Sequence, residues 1–198
     1  GEGDLVTLRR SARALVLDID DAVWTRPFGR RDRRGARRFS DAVRAADVVV
    51  VGSAALRDEV RGRHGHPRVR LVAPASPLPA ALPPRPDRQH LRLVWTGSRS
   101  TLPYLEALGP VLEVLAREVP LEVEVVADAP AALPPSVPVT FTPWSLEAEG
   151  AALGRADVGL YPLRGDPWSR GKCAYKIRRY MAFGLPTVAS RAGGGRES

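Results

Sequence analysis

The sequence holds one cysteine, no asparagine, two lysines and one methionine in 198 residues. One cysteine excludes a disulfide framework and leaves too few thiols for a structural zinc site. No apolar run approaches the roughly 18 residues that a membrane-spanning helix needs. The start of the sequence carries no basic, apolar and small-residue leader pattern. No basic stripe interleaved with aromatics occurs, so a nucleic acid partner is not expected. The chain opens on Gly1 without Met and ends at Ser198 in a glycine-rich stretch, as expected of a piece of a longer protein. What is present is 44% apolar and 26% charged, the profile of a globular chain with a sizeable core.

The net charge of +8 is unevenly spread. Residues 1–85 hold 17 Arg against 10 acidic side chains, whereas residues 86–198 hold 13 basic against 12 acidic. Arginine supplies 28 of the 30 basic residues, and with abundant Ala and Pro this reflects GC-rich coding. The run from Arg26 to Arg38 reads either as a solvated loop and helix face or as a surface drawn to anionic lipid or a lipid-phosphate acceptor.

The stretch from Ala73 to His90 contains six prolines. Proline fixes φ and lacks a donor, so this stretch reads as an interdomain linker. On either side, apolar runs alternate with helical patterns. Ala14–Asp18, Val48–Val51 and Val69–Val72 read as strands upstream. Val48–Val51 is four valines in a row, as in a parallel strand covered on both faces. Ser53 is suited to cap a helix running to about Arg63. Downstream, Leu91–Thr96, Leu121–Val126, Val139–Phe141, Val158–Tyr161 and Thr187–Ala189 read as strands. Helices are expected from Ser100 or Thr101 to about Glu118, interrupted by Gly109-Pro110, over Leu146–Gly154, and over Ala174–Phe183 with Gly184 closing it. This alternation predicts an α/β fold with parallel sheets. One echo links the halves: Ala46-Asp47-Val48 and Ala156-Asp157-Val158 each put Asp between a helix and a buried strand. It marks either two similar halves or a tripeptide common in any α/β protein.

Ligands of open α/β sheets gather at the carboxyl ends of strands. There the segment from Asp157 to Ser190 is the most informative. A strand ends at Tyr161, a polar loop carries Gly165, Asp166, Gly171 and Lys172, and a helix begins near Ala174. That order receives phosphate on free amides and the helix dipole. Arg170, Lys172 and Lys176 add positive charge. Both lysines of the chain lie here, which points to a compact ammonium rather than a planar fork, or to chance placement of two residues.

This segment, with its Pro-Trp-x-x-Gly-Lys-x-x-x-Lys loop, resembles the donor-sugar signature of bacterial family-4 glycosyltransferases of GT-B fold. Leu93–Ser98 with Ser100-Thr101 resembles the first strand and phosphate loop of that family's donor domain. Thr140–Trp144 resembles the strand beside the nucleotide base. Val16–Ala22 and Ala46–Ser53 resemble the later part of the acceptor domain. The resemblance implies two Rossmann-like domains facing across a cleft, the first truncated. Residues 1–80 would be the second half of the acceptor domain, 81–90 the linker, and 91–198 an incomplete donor domain.

It implies transfer of a sugar, with retention, from a nucleotide-diphosphate donor to a glycan or lipid-linked acceptor in bacterial surface polysaccharide synthesis. No cofactor and no metal is implied. The setting would be cytoplasmic or peripheral at the inner face of the membrane, with anionic membrane as an added candidate partner. The implied diphosphate contacts are Gly97, Ser98, Ser100, Thr101, Arg170, Lys172, Lys176, Cys173 and Ala174. Trp144, Trp168, Gly194 and Glu197 would lie by the base or sugar. Asp18, Asp20 and Asp21 would lie on the acceptor side, and Asp166 is a candidate sugar contact. The chemistry calls for such groups because the departing nucleotide diphosphate gains negative charge in the transition state.

The sequence also departs from the family. Many members carry two Glu separated by seven residues in this region. Alignment on Met181-Ala182 puts Gly171 and Arg179 there instead, so the catalytic residues stay unassigned. The Asp18–Asp21 cluster has four readings: a solvated turn, an acceptor contact, a divalent-metal site, or a phosphatase nucleophile lacking its Gly and Thr. His64, His66 and His90 read as solvated loop residues. Trp95 reads as core, and Cys173 as a small loop residue rather than a nucleophile. Alternatives to the transferase are a nucleotide-sugar epimerase on the same fold and a non-catalytic homologue that binds nucleotide or a partner.

Overall fold

The computed structural model describes residues 2–82 and 90–192. It divides into two α/β units, each with its own parallel sheet.

The first unit comprises residues 1–75, 164–174 and 191–198. Its elements are α1 (Glu2–Ser11), β1 (Val16–Ile19), a 3-10 turn (Pro27–Gly29), α2 (Arg33–Ala45), β2 (Val48–Val51), α3 (Ala54–His64) and β3 (Val69–Leu71). The strand order is β1-β2-β3, all parallel, with Val16 opposite Val48 and Val49 opposite Val69. Val49 and Val51 are fully buried, and Val48 and Val50 are half-buried, so one face of the valine strand is covered more deeply than expected of a strand sealed on both sides. Phe39 and Val43 of α2 and Leu56 and Val60 of α3 complete this core. The helix starts follow from capping chemistry: Gly35 N donates to the Asp32 carboxylate (2.8 Å), and Leu56 N to Ser53 Oγ (3.3 Å). Gly65 ends α3 at φ 62°, a left-handed turn suited to glycine.

The second unit comprises residues 76–163 and 175–190. It contains β4 (Leu91–Thr96), α4 (Leu102–Glu106), α5 (Gly109–Glu118), β5 (Leu121–Ala127), β6 (Val139–Pro143), α6 (Leu146–Arg155) and β7 (Val158–Tyr161). After α7 (Pro167–Arg170), which belongs to the first unit, α8 (Tyr175–Ala182) and β8 (Thr187–Ala189) return to the second. Five parallel strands lie in the order β6-β5-β4-β7-β8. Leu93, Trp95, Val123, Val125 and Leu160 pack with Leu102, Leu105 and Leu112 of α4 and α5 as the core.

The α/β class with Rossmann-like parallel sheets is as the sequence predicts. Three details differ. The single helix expected from residue 100 to 118 is two, because Gly109-Pro110 starts α5 rather than interrupting a helix. The loop after β7 contains the helical turn α7. Residues 164–174, which the sequence boundary at 90 assigns to the second domain, pack with the first unit.

The Ala-Asp-Val echo is a shared structural device. Asp47 N donates to Leu15 O (2.8 Å), and Leu15 N donates to the Asp47 carboxylate (2.8 Å). Asp157 repeats this with Arg92: Asp157 N to Arg92 O and Arg92 N to the Asp157 carboxylate, both 2.8 Å. Each aspartate therefore clasps the start of the neighbouring parallel strand. Asp47 is further held by Arg9, whose guanidinium, with the Leu15 N–H, keeps its carboxyl below the ordinary range.

Replacing Asp157 with Ala leaves Arg92 N without that acceptor, and is expected to destabilise the fold by about 1–3 kcal/mol. Denaturant unfolding checks this: a midpoint shift worth under about 0.5 kcal/mol would reduce the echo to a common tripeptide. The lowered carboxyls of Asp32 and Asp47 contribute stability that is present above the unfolded carboxylate range and lost as pH falls. Unfolding midpoints should therefore decline once the pH drops below about 4.

Candidate functional site

In the second unit, the carboxyl end of β4 carries the Gly97–Thr101 loop. Gly97 is required there because a Cβ would fall 2.1 Å from the Trp95 indole and 2.8 Å from Thr101 Oγ1. Trp95 is core, as the sequence suggests. Most loop amides are satisfied internally. Gly97 N donates to Val126 O (3.0 Å), Ser98 N to Thr101 Oγ1 (3.1 Å), and Arg99 N to the Asp128 carboxylate (2.5 Å). The polar surface here is thus the exposed hydroxyl pair of Ser98 and Ser100, 2.9 Å apart, rather than a nest of bare amides.

Lys176 of α8 brings an ammonium to this strand end. Its Nζ lies 2.9 Å from Thr96 Oγ1 and 3.9 Å from the carboxylate of Glu149 on α6. Glu149 is buried and also receives Arg179 Nε at 3.3 Å, while Arg179 donates to Pro77 O at 3.2 Å. One turn beyond Lys176, the Tyr180 hydroxyl accepts from Thr96 N and donates to Leu160 O, both at 3.2 Å. Burial pushes that phenol up to about 12, so it stays a neutral brace between β4 and β7. Its ring needs Gly159, where a Cβ would sit 2.4 Å from Tyr180 Cδ2. Sequence reasoning missed Thr96, Glu149 and Tyr180. Gly159 inside a strand was the available signal of a close approach.

In the first unit, the carboxyl ends of β1 and β2 meet residues 164–174. Lys172 Nζ lies 2.8 Å from the Asp21 carboxylate and 3.7 Å from the centre of the Trp168 ring. Burial raises the Asp21 carboxyl, the Lys172 charge and hydrogen bond lower it, and Asp20 raises it further. Asp18 and Asp20 are exposed, and Arg170 is exposed at the end of α7. Asp166 caps α7: Oδ1 accepts from Trp168 N and Ser169 N, and Oδ2 from Ser169 Oγ, each at 3.0 Å. Gly52 leaves space for Cys173, because its Cβ would lie 2.7 Å from Cys173 Cβ. Cys173 and Ala174 are buried, and Ala174 precedes α8 at φ 57°, a strained setting for a residue with a Cβ.

The remaining candidates are dispersed. Trp144 is 53% exposed just after β6. Gly194 and Glu197 lie outside the described residues. Among the described residues no three His, Cys, Asp or Glu side chains gather as a metal site. His64 stacks edge-on against Phe39 at 5.1 Å, and burial lowers its pKa. Gly171 and Arg179 hold the two positions at which the family pattern places glutamates. Gly171 has no room for any side chain, with a Cβ 2.5 Å from that of Ala22.

The sequence matches no protein-family model and no curated protein. Solved structures do match in fold. The chain aligns over 98% of its length to TarM with a TM-score of 0.66 at 11% identity. It aligns over 98% to the apo form of the lipopolysaccharide outer core galactosyltransferase WaaB with a TM-score of 0.60 at 10% identity, and over 98% to a chain of the GtfA/B complex with 0.57 at 12%. It spans 41% of TarM, 61% of WaaB and 41% of the GtfA/B chain. At such identity the likeness is one of fold, and it agrees with the α/β, Rossmann-like class expected from the sequence. No described helix is long and apolar enough to cross a membrane.

Gly171→Ala is expected to destabilise the first unit by about 1–3 kcal/mol through overpacking. Ala22→Gly in the same chain should recover part of that loss. A double-mutant cycle in denaturant checks this, and purely additive losses would show that the two backbones do not meet closely.

Proposed function

We propose that this chain is part of a GT-B glycosyltransferase whose second unit binds a nucleotide-diphosphate sugar. The observation that carries this reading is Lys176, fixed between the Thr96 hydroxyl and Glu149 at the carboxyl end of β4, beside the Gly97 loop. An ammonium already in place at a strand end suits a diphosphate and costs no reorganisation as charge develops on the leaving group. Ser98, Ser100 and Thr101 would supply polar contacts. Trp144 is the candidate stacking surface for a base, being exposed and at a strand end. In the first unit Lys172 and Arg170 are further candidate cations, though Asp21 already balances Lys172. Asp18, Asp20 and Asp21 would meet the acceptor. Retention, a glycan or lipid-linked acceptor and a place in bacterial surface polysaccharide synthesis, at the cytoplasmic side of the membrane, complete the reading.

A second reading has its own observation. Where the family resemblance calls for two glutamates, Gly171 is closed to side chains and Arg179 is committed to Glu149 and Pro77 O. A homologue that binds the nucleotide sugar without transferring it would look the same.

Calorimetric titration with a panel of nucleoside diphosphates and nucleotide sugars tests both. Saturable binding is expected, with Lys176→Ala weakening it about 10- to 100-fold, the loss of one charge-assisted contact. Lys172→Ala should lose less. Binding unaffected by Lys176→Ala would remove the donor site from β4. Binding without turnover in the longer parent protein would favour the second reading.

A further inference from the structure

Residues 25–31 of the first unit form a tight basic hairpin. Thr25 and Arg31 make an antiparallel bridge, and Arg26 N and Thr25 Oγ1 both donate to Arg30 O, at 3.0 and 3.1 Å. The 3-10 turn at its tip holds Phe28 at φ 63°. The hairpin leads directly into α2, and together they line an open surface cavity of about 510 Å³ formed by Arg26, Arg30, Arg31, Asp32, Arg33 and Arg34. Its single carboxylate is already committed. Asp32 accepts from Gly35 N as the cap of α2 (2.8 Å) and from Arg26 Nε (2.9 Å). Among the described residues, no ion pair engages Arg30, Arg31, Arg33 or Arg34.

Four unpaired guanidinium groups around one cavity repel one another, and the helix dipole at the start of α2 adds to the positive potential. An anion relieves that repulsion. Guanidinium forks match phosphate oxygens two at a time, which favours phosphate over a spherical ion. The cavity lies in the size range of small-molecule sites. Its lining holds no ring and no apolar side chain, so nothing in it would hold a base. We propose that the cavity of Arg26, Arg30, Arg31, Arg33 and Arg34 binds a phosphate group, supplied either by a soluble phosphate or by an anionic lipid headgroup. This site is separate from Lys176 and stands whether or not the chain transfers sugar.

The test uses this chain with inorganic pyrophosphate in calorimetry, and vesicles of phosphatidylglycerol in phosphatidylcholine, or phosphatidylcholine alone, in co-sedimentation. Two variants accompany it: Arg31→Gln/Arg33→Gln/Arg34→Gln and the charge-matched Arg13→Gln/Arg63→Gln/Arg70→Gln. All altered arginines are exposed or half-exposed, and a thermal melt verifies folding. The expected result is saturable, salt-sensitive binding that the cavity triple weakens about 10-fold or more, with the control triple near the parent. Saturable pyrophosphate binding that the cavity triple weakens assigns a soluble phosphate. Capture by the phosphatidylglycerol vesicles alone, with the same variant dependence, assigns a lipid headgroup. Absence of both, equal losses in the two triples, or binding that the cavity triple leaves unchanged would each overturn the proposal.

Discussion

The register between parallel strands is the constraint on which the rest depends. A hairpin sets its own register through its turn, but parallel neighbours are joined by long crossovers that fix nothing locally. In this chain one aspartate at the foot of each central pair does the fixing. Asp47 grips Leu15, and Asp157 grips Arg92, each through both its amide and its carboxylate. Because the strands run the same way, alignment at their amino ends is carried to their carboxyl ends. There the same two pairs deliver Asp20 and Gly52 in the first unit, and Thr96 and Tyr161 in the second. The clasp is remote from any chemistry, yet it decides which residues stand level where ligands bind.

Close backbone approaches then decide which side chains reach those ends. Gly159 admits the Tyr180 ring, whose hydroxyl ties Thr96 to Leu160. Thr96 in turn meets Lys176, so a glycine in one strand indirectly steadies an ammonium at the end of another. In the first unit, Gly52 and Gly171 let residues 164–174 lie against β2 and the turn after β1. That seating sets Lys172 on Asp21 and Trp168. In each case glycine matters for the missing Cβ, not for backbone freedom.

Much of this was legible in the sequence. Val48–Val51, Leu91–Thr96, Val158–Tyr161 and Thr187–Ala189 were readable as strands from apolar runs with turn residues at their borders, and Ser53 from capping chemistry. Lys176 was readable beyond a strand end from the order strand, loop, helix, but its meeting with Thr96 beside the Gly97 loop was not. What escaped depends on tertiary partners. Residues 164–174 belong with the first unit because Ala22 and Gly52 lie opposite Gly171 and Cys173, and no local pattern encodes that. Nor does periodicity reveal that the loop amides at Ser98 and Arg99 are spent on Thr101 and Asp128, or that Asp166 is spent as a cap. The α1 helix, largely exposed over its described residues, has a weakly amphipathic pattern that left it unread.

The two lysines and the arginines divide the chain's positive charge into three kinds. Arg155 and Arg179 are structural, paired with the buried carboxylates of Glu124 and Glu149, where removing one partner would strand a charge. Lys172 and Lys176 each sit with a carboxylate nearby, Asp21 and Glu149, which holds their charge in position. Among the described residues, the arginines of the hairpin and of the start of α2 have no carboxylate beyond the one already capping the helix. Cations of the first kind shape the fold, and those of the second are fixed near the carboxyl ends of β1 and β4. Those of the third are set against one another until an anion arrives. Arg179 of α8 pairs with Glu149 of α6, and Lys176, one turn earlier on the same helix, lies 3.9 Å from that same carboxylate. One buried acid therefore both ties the two helices together and sets the position of the ammonium at the end of β4.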